Sequence, residues 1–163
     1  MVYKDCNIGS AKPDIDTLKK YPHHLISLKS LDNIFTVSDF CECANELIIE
    51  AHKNGKLPVL VGGSMMYFKS LFDGIHDLPD RDEVYREELK KLKNNNPEGY
   101  LYKILKDTDP VYANFINKND DMRIIRALEI YKNSHKKMSD ILKEKPTNGA
   151  KHKYDIHQFG IHF

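Results

Sequence analysis

Gly62, Gly63 and Ser64 are the residues whose types and position first suggest a binding site. They follow a short apolar run at 57–61, which predicts a buried strand. After Ser64, a good helix N-cap, apolar side chains recur at helical spacing up to Gly74. Ligands of parallel α/β sheets bind where strands end in such turns. We interpret the Gly-Gly-Ser turn either as part of a ligand site or simply as a tight turn.

Two arginines in the C-terminal half are close together on one predicted helix. Arg123 and Arg126 lie three residues apart on a predicted helix and therefore share a face. Guanidinium groups suit phosphates, although ion pairs with Asp120 or Glu129 would also explain them. Seven lysines follow between 132 and 153. This basic segment indicates either a polyanionic partner or a solvated lysine-rich surface.

Composition favours a globular protein of one domain, or slightly more. The 163 residues are 30% charged and 40% hydrophobic, with a net charge of +1. No run of 18 apolar residues and no signal peptide are present, so we expect no membrane contact. Three cysteines cannot all pair, and no Cys/His set has zinc-like spacing. We therefore expect free thiols, a cytoplasmic location and no metal ligands in the chain.

The predicted elements describe an α/β core interrupted by helices. The core includes helices at 14–20 and 37–54, the latter capped by Thr36 with Asp39 or by Ser38. It also includes short strands at 21–26 and 57–61. Beyond Gly74 the signals are helical, at 84–93, 97–105, from 109, 122–131 and 138–143. Residues 154–163 alternate apolar and polar types and predict a return strand. The predicted organisation is a core at 1–76, a helical insertion at 77–150 and a return strand within 151–163.

Together these motifs resemble those of the tRNA dimethylallyltransferases, also called tRNA isopentenyltransferases. Each motif alone is weak, but their order and spacing are specific. The matching pieces run nearly from end to end: Val2-Tyr3-Lys4, Ile8-Gly-Ser-Ala-Lys-Pro13, Pro22-His-His-Leu25, Phe35-x-Val-x-Asp-Phe40, Leu57-Pro-Val-Leu-Val-Gly-Gly-Ser64 with Tyr67-Phe68, Asn119-Asp-x-x-Arg123 with Arg126-Ala-Leu-Glu129, and His157-Gln-Phe159.

The resemblance implies a fold, a reaction and partners. The fold would be a P-loop-NTPase-like parallel sheet core, of the ATP-binding class and here truncated, with an all-helical insertion that grips the tRNA anticodon stem-loop. The reaction would move a dimethylallyl group from dimethylallyl diphosphate to N6 of the adenosine 3′ to the anticodon, with Mg²⁺. We expect a monomer.

The resemblance also assigns tRNA-contacting residues. Ser64 matches a hydroxyl residue that touches the tRNA near the reacting base, and Arg86 matches an arginine at the start of the insertion. Met122 to Arg126 match a short tRNA-contacting run, in which Arg123 and Arg126 keep their charge. Met122 departs from the polar residue expected there, which puts that contact in doubt.

The chain also departs from the family pattern at its start. The family's phosphate loop and catalytic aspartate precede the Val-Tyr-Lys motif, whereas Met1 here stands directly before Val2. The phosphate-loop pattern G-x-x-x-x-G-K-[ST] is absent from the sequence. We therefore expect an internal fragment with no catalytic residue of its own, inactive alone. The alternatives are a non-catalytic tRNA-binding remnant or a degraded gene product.

Overall fold

The chain divides into two units in the computed structural model, which describes residues 1–160. The first consists of Met1–Ile75 with the C-terminal segment from Thr147, and the second of His76–Pro146. The boundaries predicted from the sequence, after 76 and 150, lie close to these. In the described part of the chain, no helix is both long enough and apolar enough to cross a membrane.

The first unit contains helices α1 (Ile15–Lys20), α2 (Val37–Lys53) and α3 (Met65–Asp73), and a 3-10 turn at Ala150–His152. Helix α2 begins at the predicted capping box: the Thr36 hydroxyl accepts from the Asp39 N–H at 3.1 Å, and the Asp39 carboxylate accepts from the Thr36 N–H at 2.7 Å. This reciprocal pairing satisfies two of the N–H groups that a helix start leaves free. The predictions for these three helices are confirmed.

Small and apolar side chains form the core of the first unit. One face of α2 meets α3 and the 3-10 turn there, and the buried members are Cys41, Ala44, Ile48, Leu71 and Ala150. The rings of Phe40 and Tyr67 stack beside this core with centroids 4.6 Å apart. Burial raises the pKa of the Cys41 thiol, so this cysteine is a core residue rather than an activated nucleophile.

The segment at 148–149 lies directly against the end of α3. The Asn148 side-chain amide donates to the Ile75 carbonyl and accepts from the Ile75 N–H, both at 3.0 Å. A Cβ atom on Gly149 would lie 2.2 Å from the Phe72 carbonyl oxygen, so only glycine permits this approach. The close contact explains how a distant part of the sequence joins this unit.

The strands predicted at 57–61 and 21–26 are wrong, and so is the return strand as far as residue 160; residues 161–163 lie outside the described part. Within residues 1–160, strand-like pairing is limited to one parallel bridge between Tyr3 and Lys29. A strand needs hydrogen bonds to a neighbour, and none of the described segments pairs with 57–61. Leu60 packs on the core, whereas Leu57, Val59 and Val61 are exposed. Burial therefore alternates from one residue to the next along this segment, as in a strand, although the segment belongs to no sheet. The predicted parallel sheet core is not seen among the described residues.

The second unit is helical, as predicted. It contains α4 (Glu83–Asn94), α5 (Tyr100–Thr108), α6 (Pro110–Ala113), α7 (Asp121–Ser134) and α8 (Met138–Ile141). Asp82, Asp109 and Asp120 cap α4, α6 and α7, because each carboxylate accepts a backbone N–H three residues further on. These local signals explain why the sequence predicted the helices well.

Helix α7 lies at the centre of this unit and is buried over most of its circumference. Its apolar side chains meet those of α4, α5 and α6, and the cluster comprises Leu89, Leu101, Leu105, Ala113, Ile124, Ile125, Ala127 and Leu128. Helix α8 is joined to this assembly by Asp109, whose carboxylate accepts from the Tyr112 N–H at 3.0 Å and the Ser139 N–H at 2.8 Å. Burial raises the pKa of Asp109, but these hydrogen bonds outweigh it and hold the pKa below its ordinary value.

One carboxylate, Glu129, is fully buried within this unit. It accepts the Arg86 Nε at 2.6 Å and Nη2 at 2.9 Å, the Asp82 N–H at 2.8 Å, and Nη1 of Arg126. Burial raises the pKa of Glu129, but the hydrogen bonds from Arg86, Arg126 and Asp82 outweigh it and lower the pKa to about 2. Glu129 therefore joins α7 to α4 and to the chain that enters α4.

We predict that Glu129→Gln lowers the free energy of unfolding by about 3 kcal/mol, because it leaves two partly or fully buried guanidinium groups without their carboxylate. Urea unfolding at neutral pH measures this loss. Glu87→Gln on α4, which removes an exposed pair with Lys90, is the matched control and should change stability by less than about 0.5 kcal/mol. Equal unfolding midpoints for the two variants would contradict the prediction.

The stabilisation from Glu129 should also depend on pH. Its folded pKa lies near 2, below the unfolded value of 4.5, so its stabilisation is complete above about pH 4.5 and is lost as the pH falls towards 2. We expect the gap in unfolding free energy between wild type and Glu129→Gln to shrink over this interval by about 3 kcal/mol. A gap that stays constant between neutral pH and about pH 3 would show that Glu129 is not held ionised.

Candidate nucleic-acid interface

The three arginines predicted to contact tRNA lie in the helical unit but have different surroundings. Arg86 is on α4, and Arg123 and Arg126 are on α7. Arg86 and Arg126 meet at Glu129, whereas Arg123 pairs with Asp120 at the start of α7. The ion pairs with Asp120 and Glu129, which the sequence left open as an alternative, are therefore present.

Arg123 has the most exposed side chain of the three. Two-thirds of it (67%) is open to solvent, and its guanidinium pairs with the Asp120 carboxylate. Asp120 also accepts the Arg123 backbone N–H, and these two interactions with Arg123 hold the pKa of Asp120 below its ordinary value. Surface ion pairs of this kind contribute little to stability, so a phosphate could compete for this guanidinium at small cost.

Arg126 is held on two sides yet stays partly open. Its Nη1 donates to Glu129, and its Nη2 donates to the Pro79 carbonyl at 2.8 Å. The side chain remains 28% exposed. Arg126 is therefore a cation of fixed orientation at the edge of the buried cluster.

Arg86 is buried, and both ends of its guanidinium fork bind one carboxylate. The hydrogen bonds to Glu129 are 2.6 and 2.9 Å long, and they raise the pKa of Arg86 above its ordinary value. Only 10% of the side chain is exposed. The predicted tRNA contact of Arg86 stays a prediction, but the geometry shows a role within the fold.

Met122 is exposed beside Arg123 and lines a shallow depression. The other lining residues come from the loop before α7 and from its first turn: Asn117, Asn119, Asp120 and Asp121. The Met122 side chain offers the depression an apolar surface but no hydrogen-bond donor for a phosphate.

Gly62, Gly63 and Ser64 belong to the first unit, where all three are exposed. Ser64 occupies the N-cap position of α3, as predicted, but its hydroxyl makes no capping hydrogen bond. The hydroxyl is therefore not used by the start of the helix. A ligand role for this turn is compatible with the geometry and stays a prediction.

The lysine-rich segment at 132–153 is divided between the two units, and several of its charges are already paired. Lys132 lies 4.0 Å from the centre of the Tyr85 ring and 3.2 Å from the Asp82 carboxylate. Lys143 pairs with Asp140, an i,i+3 neighbour. The segment is thus partly a set of local pairs rather than one continuous basic surface.

The Mg²⁺ that the resemblance implied stays a prediction, and we assign it no ligand among the described residues. Within residues 1–160, no three His, Cys, Asp or Glu side chains are arranged to hold a metal ion. Near the arginines, Asp120 and Glu129 pair with them, whereas Asp82 and Asp121 pair with Lys132 and Lys93. We therefore derive no chemical step through a metal.

Sequence comparison relates the chain to known proteins. The model of the IPP transferase family matches residues 1–162. A tRNA dimethylallyltransferase of Vesicomyosocius okutanii is 43% identical over 141 residues, which cover 86% of this chain and 46% of that protein. Another, from Legionella pneumophila (strain Corby), is 43% identical over 131 residues, which cover 80% of this chain and 42% of that protein. The chain thus spans less than half the length of these curated relatives.

Structural comparison agrees. The chain resembles a eukaryotic dimethylallyltransferase whose crystallographic snapshots were taken acting on tRNA, with a TM-score of 0.73 and 30% sequence identity. The match covers 88% of this chain and 36% of that one. The two comparisons, together with the motifs and their order, lead to one conclusion: the chain belongs to the IPP transferase family.

Proposed function

We propose that this chain acts in tRNA modification as part of a dimethylallyltransferase. The observation that carries the proposal is the family match over residues 1–162, with relatives that are 43% identical and named tRNA dimethylallyltransferase. The substrate would be the anticodon stem-loop of a tRNA, and the donor dimethylallyl diphosphate. The modified atom would be N6 of the adenosine 3′ to the anticodon.

The proposed reaction makes separate demands on the protein. The N6 amine forms a bond to the allylic carbon, the carbon–oxygen bond to the diphosphate breaks, and the amine loses a proton to a base. Cations and N–H groups must stabilise the departing diphosphate, and the target base must leave its stack. We assign none of the described residues to the diphosphate, to Mg²⁺ or to the general base. The roles that we propose for the described residues are contacts with the tRNA.

The observations that favour tRNA binding come mainly from the helical unit. Arg123 is exposed and weakly paired, and Arg126 is partly exposed and held in place. Planar guanidinium groups recognise phosphates through paired hydrogen bonds, and such contacts fix the register of a protein on RNA. Met122 of the same helix and Ser64 of the first unit, whose hydroxyl does not cap α3, also belong to the proposed contact set, and the contact predicted for Arg86 stays a prediction.

The finer features of the family fold also belong to this proposal. A parallel P-loop-NTPase-like sheet is supported by the parallel bridge between Tyr3 and Lys29. The similarity to a eukaryotic dimethylallyltransferase supports it further. A nucleotide-type phosphate site, Mg²⁺ as partner of the diphosphate, a cytoplasmic location and a monomeric state complete the proposal.

We predict that the chain binds an anticodon stem-loop RNA and that binding weakens steeply with salt. Arg123→Gln and Arg126→Gln should each weaken binding about tenfold at about 0.1 M salt and reduce the slope of log K against log salt by about one, because each removes a phosphate contact. Fluorescence anisotropy measures both quantities. Lys103→Gln on α5 is the charge-matched control and should leave the slope unchanged.

The same samples test the proposal as a whole. A stem-loop that binds no better than double-stranded DNA of equal length, or with no salt dependence, would contradict it. A second measurement adds dimethylallyl diphosphate and Mg²⁺ and detects prenylated adenosine by mass spectrometry. Product would show that the chain carries out the transfer, whereas specific binding without product would favour a non-catalytic tRNA-binding module.

A further inference from the structure

The guanidinium of Arg126 is fixed by a fully buried carboxylate and by a backbone carbonyl. Nη1 donates to Oε2 of Glu129, which is fully buried, and Nη2 donates to the Pro79 carbonyl at 2.8 Å. An exposed arginine side chain samples many rotamers and loses that freedom when it binds a ligand. Arg126 has largely lost it already in the folded protein.

Glu129 is itself held by two further groups. Arg86 binds both carboxylate oxygens, at 2.6 and 2.9 Å, and the Asp82 N–H adds a third hydrogen bond at 2.8 Å. Arg86 is too buried to reach a ligand while it keeps this pair. The contacts therefore run from Arg86 through the fully buried Glu129 to the partly exposed Arg126.

We infer that Glu129 is a positioning residue for RNA binding: its buried carboxylate, locked by Arg86, fixes the Arg126 guanidinium for a phosphate of the anticodon stem-loop. Arg86 then acts on the RNA through Glu129 rather than by direct contact. The inference rests on the proposed function, which supplies the RNA ligand. Fixing a contact group before binding strengthens binding, because the entropy of ordering is not lost at that step.

The charge of Glu129 makes the inference testable against simple electrostatics. Glu129→Gln removes one negative charge close to the proposed contact. Long-range attraction alone would then strengthen binding to a polyanion. Positioning predicts the opposite sign, because Arg126 would lose the acceptor that orients it.

The experiment is a double-mutant cycle on the 163-residue chain, with a fluorescent anticodon stem-loop RNA as the probe. We expect Glu129→Gln to weaken binding about fivefold in the wild-type background and less than twofold in the Arg126→Gln background. Binding is measured at a temperature at which circular dichroism shows every variant to be folded. Asp109→Asn is the structural control: it damages another buried carboxylate of the same unit and should leave RNA affinity unchanged.

Several outcomes would overturn the inference. Tighter binding by Glu129→Gln, or equal weakening in both backgrounds, would show that Glu129 does not act through Arg126. If Glu129→Gln does not fold, the cycle is run with Glu129→Asp, which keeps the charge but draws the carboxylate back, and the same coupling is expected. Wild-type chain that fails to bind the RNA would contradict the proposed function itself, whereas RNA binding without coupling would contradict only the role of Glu129.

Discussion

The helical unit depends on one carboxylate that has been taken out of water. A buried charge is costly unless it is paired and hydrogen-bonded, and Glu129 meets this condition with two arginines and one backbone N–H. These contacts join α7 to α4 and to the chain before α4. Loss of any one partner would leave a charge or a donor unsatisfied in the interior. The contributions of these side chains to stability are therefore coupled.

Packed helices do not need such a cluster to be stable. Apolar residues of similar volume often hold helices together as well as a buried ion pair does, or better. Apolar residues would not orient a cation at the surface. Here Glu129 and the Pro79 carbonyl orient the guanidinium of Arg126. The three arginines thus differ in how far their side chains are exposed to solvent. Arg86 is buried, Arg126 is partly exposed, and Arg123 is exposed with a surface ion pair to Asp120.

The helices could be predicted from the sequence because their signals are local. The Thr36–Asp39 capping box, the aspartates before α4, α6 and α7, and the apolar spacing of α7 all lie within a few residues of the elements they specify. The strands could not be predicted in the same way. A strand exists only beside a partner, and the apolar run at 57–61 has none among the described residues.

The candidate site shows the same division between local and distant signals. Spacing brought Arg126 and Glu129 together as an i,i+3 pair, and that pair is present. The ion pair between Arg86 and Glu129 joins residues that are 43 positions apart in the sequence. Spacing gives no indication of it, because only the packing of α4 on α7 brings the two side chains together. Arg86 is therefore an interior residue of the helical unit, and the tRNA contact predicted for it stays a prediction.

The ionisation of Glu129 can be followed directly by the ¹³C chemical shift of its side-chain carboxyl, while the backbone amides of α7 still report a folded helix. We predict that the carboxyl stays ionised as the pH falls from neutral to about 3 and begins to titrate only as the pH approaches about 2. A midpoint near the ordinary glutamate value of 4.5 would show that the arginines do not hold the carboxylate, and the central role given to Glu129 would be wrong.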